Sequence, residues 1–149
     1  MIVNDQVQAF YDEYAARKTE FEEYVENGGT LIFFAASDGW AEGSLNAPLP
    51  GNVNRDFDYD PINTIVLPTH PIVTAVLSDS IPLVNADLYS NAASHGSFSN
   101  LVPGTTVILE NSVNQPTLIE YQLGAGSVLA STLTWEFTWE YFFDYEEVG

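Results

Sequence analysis

Serine, histidine and aspartate can together activate a hydroxyl for attack on a carbonyl, and this chain offers them as Ser37, His95 and Asp38. In such a relay the imidazole takes the hydroxyl proton and the acid orients the imidazole. Ser37 and Asp38 stand where an apolar run, "TLIFFAA", ends in a Ser-Asp-Gly turn. The tip of a buried strand is where an α/β protein places a nucleophile or a ligand-binding loop. The elbow reads Ala36-Ser37-Asp38-Gly39, without the Gly-x-Ser-x-Gly that exposes a strained hydroxyl. A serine ahead of Asp-Gly is the ordinary residue of a turn that caps its own backbone. The expectation is therefore a binding site at the strand ends formed by Ser37, Asp38, Trp40, Asn91, Ser94, His95 and Glu136. A small serine hydrolase using Ser37, His95 and Asp38 is the alternative.

Other residues invite metal chemistry. Asp56, Asp58 and Asp60 alternate in "RDFDYD", share one face if extended, and with Asn63 nearby offer oxygen ligands of the kind calcium takes. As an EF-hand the register fails, because Pro61 stands where glycine is required and Leu67 where the bidentate glutamate should be. A solvated strand or loop edge is the preferred reading, with Asp56, Asp58 and Asp60 as the alternative metal set. His70, ahead of Pro71, reads as a loop histidine bonded to backbone, and two histidines alone make no zinc site. With no cysteine there is no disulfide, thiol nucleophile or thiolate metal site, and no cofactor is expected. Trp40, Trp135 and Trp139 with Tyr59, Tyr89 and Tyr141 could form an aromatic platform, and rings flanked by carboxylates suit sugar faces.

These residues need elements to position them. Residues 5–26 show helical spacing, with Val7, Phe10, Tyr11, Tyr14, Phe21 and Val25 on one face and the Lys18 stem at its middle. Asp5 with Gln8 fits a capping box, and Asn27-Gly28-Gly29 a left-handed stop. Residues 30–36 then read as a strand buried on both faces, making a βαβ unit with parallel strands. Residues 38–62 read as a long polar loop, 64–68 as a short strand and 70–81 as a short helix. Residues 85–100 read as loop with one strand. Residues 105–110, 116–123 and 126–134 read as three strands, the last two an antiparallel hairpin over 117–133. The tail from Trp135 reads as a helix with Phe137, Tyr141 and Tyr145 on one stripe.

Composition narrows the partners. The chain has 149 residues, one domain's worth, with 46% hydrophobic content and therefore enough to fold. Acids number 21 against Arg17, Lys18 and Arg55, for a net charge of −18. No basic face can be built after Arg55, so phosphate backbones and anionic lipid surfaces are repelled. Nucleic acid and membrane are excluded as partners, and no stretch approaches the roughly 18 apolar residues of a span. Such acidity fits a salt-rich or extracellular setting, where screening relieves self-repulsion. "MIVNDQ" lacks the regions of a signal peptide and reads as the end of a strand entering a helix, as if the start were cut from a longer chain.

The order "IVNDQ", helix, "YVENGGTLIFFAAS", "SHGSFSNLVPGTTVILE", "PTLIEYQLGAGSVLASTLTWEF" resembles the class I glutamine amidotransferase-like fold. It is closer to the non-catalytic versions embedded in large secreted bacterial or archaeal proteins and glycosidases. The resemblance implies one amidotransferase-like domain over 1–149 that lacks its first β-α-β elements. It places the nucleophile at Ala35 or Ala36 and the histidine near Thr134, and neither position can do the chemistry; only the acid, Glu136, has a match. Glutaminase activity is therefore not expected.

The combined expectation is a three-layer α/β, flavodoxin-like or amidotransferase-like sheet, mostly parallel, with an antiparallel hairpin near its C-terminal end. Its function would be that of a non-catalytic binding or architectural module in a larger extracellular or cell-surface protein. A glycan or a protein is its expected partner. A self-assembling scaffold, a homo-oligomer covering an open sheet edge, is a further alternative.

Overall fold

The computed structural model describes residues 1–3, 6–36, 38, 43–75 and 81–135. The helical periodicity of 5–26 is realised as two helices, α1 (Gln8–Ala16) and α2 (Lys18–Glu26). Arg17 breaks them, at φ −118° and ψ 22°. The break leaves both apolar stripes on one sheet face. Tyr11, Tyr14 and Val25 are fully buried there, and Phe10 and Phe21 pack half-buried beside them. Val7 occupies the N-cap of α1 with no side-chain cap, and Gln8 donates instead to Asp12 at 2.8 Å; Asp5, the other half of the expected capping box, lies outside the described residues. The glycine stop forms as read. Gly28, at φ 102°, donates to Val25 O and Gly29 to Tyr24 O, both at 2.9 Å, the paired bonds of a Schellman motif.

The chain then enters β2 (Thr30–Phe34), which is parallel to the short β1 (Ile2–Val3). Leu31 and Phe33 face the helices fully buried, while Ile32 and Phe34 are half-buried on the other face. Further strands are β3 (Asn54–Asp56), β4 (Asp60–Ile65), β5 (Tyr89–Ser94) and β6 (Ser97–Ser99), then β7 (Thr106–Asn111), β8 (Pro116–Leu123) and β9 (Gly126–Ser131). Seven of them form one sheet in the order β1-β2-β9-β8-β7-β4-β5, and β3 pairs with β6 in a separate ribbon.

Only β1–β2 and β2–β9 run parallel; the other four neighbouring pairs in the large sheet are antiparallel. The sheet is a curled, mixed half-barrel. This corrects the expectation of a mostly parallel, three-layer flavodoxin-like sheet. It also removes the basis for the amidotransferase-like resemblance, because the strand read as central meets an antiparallel array one strand away. The physical source of the difference is β4 and β5: the strand expected over 64–68 overlaps β4 only at Thr64 and Ile65, and "YSNAAS" is too polar to show where the one strand expected within 85–100 lies or how it pairs.

Alternation along β8 divides the core. Ile119 and Tyr121 pack under α1 and α2, while Leu118 joins Ile108, Leu109, Val73, Leu88 and Leu133 on the opposite side. The helix expected over 70–81 is present as α3 (Pro71–Thr74), which Ala75 closes at φ 53°. Within the expected loop of 38–62 lie β3, the start of β4 and a 3₁₀ turn at Pro50–Asn52. The expected tail helix lies outside the described residues.

Candidate functional site

The C-terminal end of β2 is fixed from below. Ala35 and Ala36 are fully buried, Ala35 N–H donates to Ser131 O at 2.7 Å, and the Tyr11 hydroxyl donates to Phe34 O at 2.7 Å. Beyond it Asp38 is exposed in the left-handed region, φ 47°, a conformation aspartate tolerates better than most residues. Two other segments converge on it. Tyr59 donates its hydroxyl to Asp38 Oδ2 at 2.7 Å, and His95 Nδ1 lies 3.1 Å from Asp38 O. A carbonyl oxygen only accepts, so Nδ1 carries the proton in that bond. The His95 backbone N–H donates to Thr132 O at 2.8 Å, which anchors the imidazole to the chain just beyond β9.

The rings form a ladder. Tyr59 meets His95 edge to face with centroids 4.8 Å apart, and Phe57 meets Tyr59 edge to face at 5.0 Å. The hydrogen bond to Asp38 holds the Tyr59 hydroxyl above its ordinary pKa, since ionisation would set an anion against a carboxylate.

Arg55 lies under the ladder, half-buried. Its Nη2 donates to Leu45 O at 2.7 Å, and its buried Nε has no partner among the described residues. Burial lowers its pKa, opposed by Tyr11, Asp38, Asp56 and Tyr59. Gly96, at φ 136°, permits this arrangement: a Cβ there would meet Arg55 Cδ at 2.8 Å and Asp56 O at 2.9 Å.

Of the residues singled out in the sequence, the structure brings together Asp38, His95 and Tyr59. Ser37, Trp40 and Glu136 lie outside the described residues, as do Trp139 and Tyr141. Ser94 is buried beneath the surface, its Oγ without a hydrogen-bond partner among the described residues, and Asn91 is exposed on β5.

The three aspartates go to separate partners. Asp56 is exposed on β3, Asp58 accepts from Asn111 Nδ2 at 3.2 Å, and Asp60 is buried, accepting from the N–H groups of Ile62 and Ser112. Among the described residues no group of three or more His, Asp or Glu is placed to hold a metal ion. His70 lies elsewhere, its Nδ1 capping α3 through Ile72 N–H and its Nε2 3.0 Å from Glu120. Trp135 lies on the far face of the sheet, donating to Ser131 Oγ at 2.8 Å beside an apolar cavity of about 280 Å³.

Sequence reasoning missed Phe57 and Arg55. The signal was present in "RDFDYD", where the alternation that puts the aspartates on one face puts Phe57 and Tyr59 on the other.

No family model matches this chain. It is 35% identical over 136 residues to the uncharacterized protein CA_P0160 of Clostridium acetobutylicum, an alignment covering 91% of this chain and 13% of that protein. The chain thus spans 13% of the length of this curated relative. Among solved structures it is similar to the cytoplasmic protein STM3548 from Salmonella typhimurium, with TM-score 0.52 and 18% identity, over 89% of this chain and 59% of that one. That likeness concerns the fold alone. An exo-β-1,4-mannosidase from Opitutaceae bacterium strain TAV5 aligns at TM-score 0.46 and 15% identity, over 87% of this chain and 20% of that one, and carries no argument. The expected amidotransferase-like domain is overturned together with the sheet on which it rested, and neither similarity bears on an extracellular setting or on carbohydrate binding.

Proposed function

We propose that this chain is a non-catalytic binding or architectural module of a larger protein, which meets its partner at the rim formed by Asp38, Tyr59 and His95. The single observation that carries the reading is how the polar groups of that rim are used. A hydrolytic relay needs the acid on the imidazole. Here the Asp38 carboxylate accepts from Tyr59, and the imidazole bonds the Asp38 backbone carbonyl instead. The groups brace one another, as a recognition surface requires. The relative in which this region makes up 13% of the length supports a role as one part of a longer chain.

The competing reading is a serine hydrolase, favoured by one detail: His95 Nδ1 is held by a carbonyl, the kind of bond that orients a catalytic imidazole. Assay with short-chain p-nitrophenyl esters separates the two. Hydrolysis no faster than buffer is the expected result; turnover that disappears in Ser37→Ala would overturn the module reading.

A further inference from the structure

We infer that the occupant of this rim is a protein segment carrying lysine or arginine side chains, an inference that rests on the module reading. Phe57 is 64% exposed and Tyr59 44%, large rings open to water where the other described aromatics, Tyr89 apart, are buried or half-buried. Carboxylates lie close by. Asp38 is bonded to Tyr59, and Asp38 and Asp56 are close enough to act on the Arg55 charge, while Asp58 is held by Asn111. A ring face with acids beside it attracts a cation both through the ring quadrupole and through charge, and the aliphatic stem of lysine or arginine covers the ring.

These 149 residues do not supply that cation. Arg17 is paired with Glu13 and Glu20, and Lys18 with Glu22 at 3.0 Å. Arg55 is tied to Leu45 O beneath the rings. These are the only lysine and arginine residues in the sequence, so a second copy brings no free cation either, and at a net charge of −18 two copies repel. Charge complementarity therefore points to a basic segment from outside these 149 residues.

The test is calorimetric titration of the full chain, in about 0.15 M salt, with a lysine–glycine decapeptide, an arginine–glycine decapeptide and a glutamate–glycine control. Both basic peptides should bind and the acidic one should not. Phe57→Ala, an exposed change, should weaken binding about fivefold. Tyr59→Phe keeps the ring but frees Asp38, and should cost less. The double variant Glu23→Gln, Glu26→Gln on α2 removes two negative charges at a distance and should leave affinity within about twofold. Absence of binding by either basic peptide would overturn the inference, as would equal loss in the α2 variant, which is diffuse attraction. Failure of the module reading looks different: it is ester turnover lost in Ser37→Ala, whatever the peptides do.

Discussion

Two tyrosines show what burial does to a single titrating group. Tyr14 donates to Pro48 O at 2.9 Å and Tyr121 to Pro50 O at 2.7 Å. Burial raises the pKa of both well above the ordinary tyrosine range, with Glu22 adding to each and Tyr121 also acting on Tyr14. A group whose folded pKa is raised contributes stability that is intact below its unfolded value, about 10, and is lost as pH rises beyond it. Thermal melts should therefore hold level to about pH 10 and fall above it. Changing both residues to phenylalanine should flatten that alkaline fall, while costing about 1 kcal/mol per lost bond at neutral pH. An alkaline fall of the same size in the double variant would show that other groups cause it.

At the scale of elements, the hairpin of β8 and β9 is locked to the end of α2. Ala125 N–H donates to Glu26 O at 2.9 Å and Ser127 N–H to Gly29 O at 3.1 Å. A Cβ at Gly126 would collide with the carbonyls of Val25 and Gly29, backbone that cannot step aside. Gly126→Ala should cost about 2–3 kcal/mol in urea unfolding. Gly104→Ala, whose Cβ would meet nothing within 4 Å, should cost only the about 1–2 kcal/mol of its positive φ. Equal midpoints for the two variants would refute the packing argument.

The glycine stop and this hairpin were legible because turn chemistry is local. β4 was not. Its Asp60 and Asn63 are buried polar residues bonded from neighbouring segments, Asp60 by Ser112 and Asn63 Oδ1 by the Thr117 hydroxyl at 2.6 Å, while Asn63 Nδ2 has no partner among the described residues. A reading of composition sees such residues as loop, and without β4 the antiparallel half of the sheet disappears. The candidate site was half legible for a similar reason. Asp38 and His95 stand out by type, but their meeting with Tyr59 depends on the β3–β6 ribbon, whose Asp56–Ser97 and Arg55–Phe98 pairs bring the two loops together.

For the whole molecule, charge sets the response to solvent. Most of the 21 acids have no cation to pair with, and exposed repulsion is screened within about 10 Å at 0.1 M salt. Melting temperature should rise with ionic strength by the same amount in sodium chloride, magnesium chloride and calcium chloride at matched ionic strength. An excess in calcium that Asp58→Asn removes would instead reveal a specific metal site. Glu22 sets the response to acid. Burial disfavours its charge, yet the Lys18 ammonium and the Gly51 N–H outweigh burial and hold its pKa below the ordinary value. Its contribution is present above about pH 4.5 and is lost as pH falls below.

The parallel pairing of β2 with β9 places Thr30 opposite Ser127 and Phe34 opposite Ser131. As the chain emerges from a ribosome, α1, α2 and β2 leave the exit tunnel while β9 has yet to be synthesised. Leu31 and Phe33 then wait with one flank unpaired until the residues of β9 have been made. Loop closure over that distance comes before any contact rewards it, so this topology places the domain among slow folders that depend on late-arriving sequence.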